Sequence, residues 1–185
     1  MDQTRETFGV DIAGIHRELP LFEVAPGVRI AVLNILGDTE LVQASAKALA
    51  RKLSSLDYDL LVTAEAKSIP LAHALSMITY KPYVVLRKIY RSYMGEALSS
   101  KTNSITTGDS QALFLDEKDR ELVDGSRVLL LDAVISTGST LQGMRDLVEK
   151  ARGKIVGEAA IFTEGDAHQW KEIISLGHLP IFKEN

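Results

Sequence analysis

The chain of 185 residues contains no cysteine, which excludes a disulfide framework, a thiol nucleophile and cysteine-bound zinc. Long apolar runs are missing too. The densest, Val128 to Leu131 and Val84 to Leu86, are far too short to span a bilayer. Positive charge is in the minority, with 21 basic against 25 acidic residues and a formal net charge of −4. Without a dense Lys/Arg tract, the field on which non-specific nucleic-acid binding rests is absent, and no direct nucleic-acid partner is expected. His16, His73, His168 and His178 are scattered without metal-ligand spacing. Met1 to Glu6 lacks the apolar core of a signal peptide, so a cytoplasmic protein with no membrane partner is expected.

What is present is ordinary globular composition, 45% hydrophobic and 25% charged, at a length that suits a single domain over residues 1–185. The stretch to Gly27 holds two prolines and shows little periodicity. Val28 to Asn34 alternates like a half-buried strand, and Asp38 is placed to cap a helix running to about Ser54. Leu60 to Thr63 reads as a strand buried on both faces, Pro70 to Ile78 as a helix, and Val84 to Leu86 as another strand. Arg87 to Gly108 has no usable periodicity, and a loop of that length in a compact domain is usually a functional lid or a disordered segment. Gln111 to Leu115 reads as a strand, and the charge run Asp116 to Glu121 as a solvated turn or helix face. Val128 to Leu131, a helix from Leu141 to Ala151, a strand from Ile155 to Phe162, a helix around His168 to Leu176 and a short strand at Leu179 to Phe182 complete the order. Strands alternating with helices, without internal repeats, imply an α/β fold with a doubly wound, mainly parallel sheet.

In such sheets ligands bind beyond the carboxyl ends of the strands. There the sequence reads Val128-Leu129-Leu130-Leu131-Asp132-Ala133-Val134-Ile135-Ser136-Thr137-Gly138-Ser139-Thr140. An apolar strand delivers a carboxylate, and a loop of small residues then opens a helix. Hydroxyls from Ser136, Thr137, Ser139 and Thr140, the tight turn at Gly138 and the free N–H groups of the helix make a phosphate cradle. A carboxylate beside that cradle suits the vicinal hydroxyls of a ribose phosphate. A P-loop is excluded, because Met144-Arg145 stand where Lys and Ser/Thr would follow Gly138 and Gly143.

Taken together, these motifs resemble the type I phosphoribosyltransferases, in the branch of the adenine and xanthine enzymes and the related purine-repressor effector domains, over Val28 to Phe182. Asp132 to Thr140 resembles their phosphoribosyl-diphosphate loop, and Thr63-Ala64-Glu65-Ala66-Lys67-Ser68-Ile69-Pro70 their pyrophosphate loop. Arg87-Lys88 and Arg91 are similar to the basic residues that meet the pyrophosphate, partly from a neighbouring subunit. Tyr90 to Gly108 matches the catalytic hood loop. The resemblance implies a small hood built from the chain ends, a long flexible loop and a homodimer. It implies transfer of ribosyl 5-phosphate from 5-phosphoribosyl 1-diphosphate to a purine-type base, with magnesium bridging donor oxygens. Asp132 would orient the ribose, Ser136, Thr137, Gly138, Ser139 and Thr140 hold the 5-phosphate, and Lys67, Arg87, Lys88 and Arg91 meet the diphosphate; the residues that would meet the metal stay unassigned. Basic groups there would stabilise charge that grows as diphosphate leaves.

Two departures matter. Ala133 stands where the family has a second acid, and Ser104-Ile105-Thr106-Thr107-Gly108 offers hydroxyls where the adenine enzymes carry a glutamate. Neither the base nor adenine specificity is therefore assigned, and a non-catalytic sensor of the donor or a nucleotide is the competing reading. Tyr90, Tyr93 and Met94 suit either loop closure or dimer contacts, and Trp170 either a surface or interface position or shelter for a purine ring.

Overall fold

The computed structural model describes residues 5–103 and 110–183. The chain opens with a hairpin, β1 (Thr7–Ile12) and β2 (Ile15–Ala25), joined at Ala13 and Gly14. Both turn residues have positive φ, 51° and 84°, the conformation of a type I′ turn, whose twist matches the flanking strands. This corrects the expectation of an unpatterned start: Val10, Ile12, Leu19 and Leu21 point inward at every second position. Pro20, which has no N–H, lies where β2 leaves β1 and begins to pair with β3 (Val28–Ala31), so a proline interrupts no ladder bond that the sheet needs. The last strand, β11 (Ile181–Lys183), pairs with β3, giving an antiparallel sheet in the order β1-β2-β3-β11. Both chain ends thus build one small hood, as the resemblance implies.

The main sheet is parallel, with strands β4 (Leu60–Ala64), β5 (Tyr83–Leu86), β8 (Arg127–Ile135), β9 (Lys154–Glu164) and β10 (Ile174–Leu179) in the order β10-β9-β8-β4-β5. Two helices, α1 (Thr39–Lys52) and α2 (Ile69–Thr79), pack on one face over Leu61, Leu129, Leu131 and Ile161. The opposite face is covered by α4 (Ser139–Lys150), through Leu141, Met144, Leu147 and Val148, over Val62, Val128 and Leu130. The sheet is doubly wound, and β4 is buried at every position, as its unbroken apolar run requires. Asp38 caps α1 by accepting the Leu41 N–H at 3.1 Å.

Three further expectations are corrected. Arg87 to Gly108 is not wholly unpatterned: a single 3₁₀ turn at Ser92–Met94 leads into β6 (Leu98–Asn103), which pairs antiparallel with β7 (Ser110–Leu115). The polar sequence of β6 conceals it, because its support is a ribbon partner and the flank of α4, where Lys150 donates to the Ser99 carbonyl at 2.7 Å. The helix expected at His168 to Leu176 is instead a 3₁₀ turn, Ala167–Trp170, followed by β10. Asp132 and Ala133 lie within β8, which continues past Leu131 to Ile135. The charge run meets its expectation as a cap and exposed face of α3 (Glu117–Val123). Ser104 to Gly108 lies outside the described residues. None of the described helices is long and apolar enough to cross a membrane.

Candidate functional site

At the carboxyl ends of β4 and β8, two adjoining hollows open. The larger, about 490 Å³, is lined by Lys67, Ser68, Lys88, Asp132, Ala133 and Thr140, with Leu33 and Leu36 on its hood side. A smaller one of about 60 Å³ is enclosed by Asp132 and the turn of Ser136, Thr137, Gly138 and Thr140. Asp132 and Thr140 border both, so a carboxylate and an anion cradle share one cleft.

The cradle follows from local chain geometry. Beyond β8, Gly138 takes φ 77° and ψ 0°, turning the chain into α4 with Ser139 at its first position. The Thr137 and Ser139 hydroxyls lie 3.1 Å apart, Thr137 Oγ1 accepts the Ser139 N–H at 3.4 Å, and Gly138 at the cap position has no side chain to satisfy the N–H groups beyond it. The remaining N–H groups of the first turn and the dipole of α4 therefore face the hollow. Trp170 lies over this turn: its ring would come within 2.9 Å of a Cβ at Gly138, while Nε1 donates to the Glu164 carbonyl at 2.9 Å. The aromatic ends the 3₁₀ turn Ala167–Trp170 and is not among the residues that line the two hollows. It is a partly buried brace packed beside the α4 core.

The carboxylate is held on one side only. Asp132 Oδ1 accepts the Ser68 hydroxyl at 2.6 Å and the Ala133 N–H at 2.7 Å. Burial pushes its carboxyl above the ordinary range, opposed by those two bonds and by the charges of Lys88 and Lys67. The strand beneath is pinned where Thr63 Oγ1 donates to the Leu131 carbonyl at 2.7 Å.

The basic residues separate into two groups. Lys67 and Lys88 line the cleft, with their charges felt at Asp132. Arg87 is turned into an ion pair, with Nε 2.6 Å from Glu65 Oε2, while the Lys88 N–H donates to Glu65 Oε1 at 2.5 Å. Burial alone would raise the Glu65 carboxyl, but the Lys88 N–H and Arg87 outweigh it and hold it low. Arg91 is exposed and stands outside the lining. Of the residues expected from the sequence, Asp132, Lys67, Lys88, Ser136, Thr137, Gly138 and Thr140 border the two hollows, Ser139 opens α4 beside them, and Arg87 and Arg91 do not reach them. Glu65, Ser68, Leu33 and Leu36 are additions. A Ser before Ile69-Pro70 reads in sequence as a helix cap, and two leucines after a strand read as core.

Residues 32–175 match the family described as "Phosphoribosyl transferase domain". A hypoxanthine/guanine phosphoribosyltransferase of Methanocella paludicola is 35% identical over 127 residues, 69% of this chain and 62% of that protein, so the chain spans about three fifths of that relative's length. The corresponding protein of Methanococcus voltae is 31% identical over 168 residues, 90% of this chain and 81% of that one. In structure, the adenine phosphoribosyltransferase of Thermoanaerobacter pseudethanolicus superposes with a TM-score of 0.65 over 94% of this chain and 95% of its own, at 20% identity, which shows a common fold. The parallel sheet, the carboxylate beside the helix-opening turn and the match over residues 32–175 together establish that this chain belongs to the phosphoribosyltransferase family.

Proposed function

We propose that the protein transfers ribosyl 5-phosphate from 5-phosphoribosyl 1-diphosphate to a purine base and releases diphosphate. The observation that carries this reading is the single cleft in which Asp132, the turn at 136–140 and two lysines converge. The 5-phosphate occupies the small hollow over Ser136, Thr137 and Gly138, with Ser139 and Thr140 supplying hydroxyls and helix N–H groups. Asp132 Oδ2, which carries no hydrogen bond among the described residues, accepts a ribose hydroxyl. Lys67 and Lys88 face the diphosphate, and Arg87 joins them by exchanging Glu65 for the incoming polyanion. Arg91, exposed on the flank, serves the site of a neighbouring copy in a homodimer. Leu33 and Leu36 form an apolar wall against which a planar base lies; Leu36 is 48% exposed.

In the reaction a ring nitrogen of the base bonds to the anomeric carbon as the bond from that carbon to the diphosphate oxygen breaks. The nitrogen's proton passes to solvent. The carbon is most cationic midway, so Lys67 and Lys88 act on charge that develops on the leaving group, and the protein forms no covalent intermediate. Among the described residues no cluster of three or more His, Asp or Glu side chains is built to hold a metal. Asp132 and Glu65 are the carboxylates that line the cleft, and because Glu65 is already paired with Arg87, Asp132 would be the one to stand beside a magnesium ion arriving with the donor. When bound it neutralises diphosphate charge.

The test is incubation with donor, magnesium and, separately, hypoxanthine, guanine, xanthine, adenine and orotate. Nucleotide and diphosphate are expected in equal amounts with at least one purine. Product from orotate alone, or from none of the five, would contradict the proposal.

A further inference from the structure

Ser68 stands at the start of α2, where a serine ordinarily turns its hydroxyl onto a helix N–H. Here it does not. Its backbone is helical, φ −84° and ψ −9°, rather than extended, and the side chain makes no cap bond. The hydroxyl instead crosses to a strand 64 residues away, donating to Asp132 Oδ1 at 2.6 Å and accepting the Ala133 N–H at 3.0 Å. Ser68 is 2% exposed, so water does not compete for these bonds. Ala133 itself brings no carboxylate, and its N–H is shared between Ser68 Oγ and Asp132 Oδ1. The three groups form a closed triangle in which one oxygen of Asp132 is used and the other is left for the cleft. The backbone of the same residue continues the loop of Glu65, Ala66 and Lys67 along the cleft wall.

Resting on the function proposed above, we infer that Ser68 is a positioning residue for donor recognition: its hydroxyl fixes the Asp132 carboxylate so that Oδ2 faces the ribose, and it ties the 65–68 loop to the end of β8. A site with one acid then depends on a rigid acid. Without the hydroxyl, Asp132 rotates more freely and the loop that carries Lys67 loses its link to the sugar subsite. The base, lying against the hood side of the cleft, is not touched by this change.

The experiment compares steady-state kinetics and melting temperatures of the wild type, Ser68→Ala and Ser68→Gly, the glycine variant removing the same hydroxyl while keeping a residue that suits a helix start. Both are expected to raise the KM for 5-phosphoribosyl 1-diphosphate by roughly tenfold, the scale of one hydrogen bond to a charged group. The KM for the purine base should stay within about twofold. Donor affinity measured by calorimetry in Asp132→Asn should fall by clearly less than about tenfold further when Ser68→Ala is added, because the larger part of the Ser68 effect passes through that carboxylate. An unchanged donor KM, an equal rise in both KM values, or losses that multiply in the double variant would overturn the inference while the proposed function stands. A wild-type protein that makes no nucleotide and binds no donor would overturn the proposed function, and this inference with it.

Discussion

Gly138 sets the turn that leads from β8 into α4. Its φ of 77° lies in the left-handed region, which costs other residues about 1–2 kcal/mol. A Cβ here would also meet the Trp170 ring at 2.9 Å, and that ring is tethered through Nε1 to Glu164. The obstacle to a side chain is therefore the indole and the backbone as much as an incoming phosphate. Gly138→Ala is expected to lower unfolding stability by about 1–2 kcal/mol and to weaken donor binding. Urea denaturation followed by calorimetry checks both, and wild-type values in each would refute the role assigned to this turn. Asp132 and Gly138 were legible in sequence because a strand, a carboxylate and a small-residue turn into a helix follow one another there, and Lys67 only through the family resemblance of its loop. Ser68 and Glu65 were not: the importance of each rests on a partner 64 or 22 residues distant, and no local pattern encodes that pairing.

At the scale of elements, the cleft depends on β4 and β8 being held in register from their far ends. Asp59, just before β4, accepts from Arg127 at the start of β8 through its backbone N–H at 3.0 Å, Nε at 2.9 Å and Nη2 at 2.7 Å, and Asp57 meets the same guanidinium. Leu60 then pairs with Val128, and Thr63 with Leu131, one residue short of Asp132. The Arg127 bonds hold the Asp59 carboxyl far below its ordinary value. A depressed acid stabilises the fold above its unfolded pKa, near 4, and that contribution disappears as pH falls toward the folded value. The melting temperature of Asp59→Asn should accordingly lie below the wild type at pH 7, with the gap closing below about pH 4. A gap independent of pH would show that the ion pair is not its source. The parallel strands were readable from sequence, since burial on both faces leaves unbroken apolar runs. The ribbon strand β6 and the edge strand β10 were not, because their pairing partners rather than their own alternation define them. The first hairpin carried the alternation, and Pro20 concealed it.

In the whole molecule, the first and last strands close one hood sheet beside a doubly wound sheet, and Leu33 and Leu36, between the two, complete the cleft wall. The fold class followed from the order of strands and helices. The shape of the cleft did not, because it requires residues 33, 36, 67, 88, 132 and 140 to meet across the chain. In the proposed function a single carboxylate, Asp132, grips the ribose of a phosphoribosyl donor. Calorimetric titration of 5-phosphoribosyl 1-diphosphate with magnesium into the wild type and Asp132→Asn tests it most directly. Saturable binding to the wild type and at least roughly tenfold weaker binding to the variant are expected, on the scale of a lost charge-assisted hydrogen bond, with both proteins folded. Equal affinities, or no binding to the wild type, would contradict it.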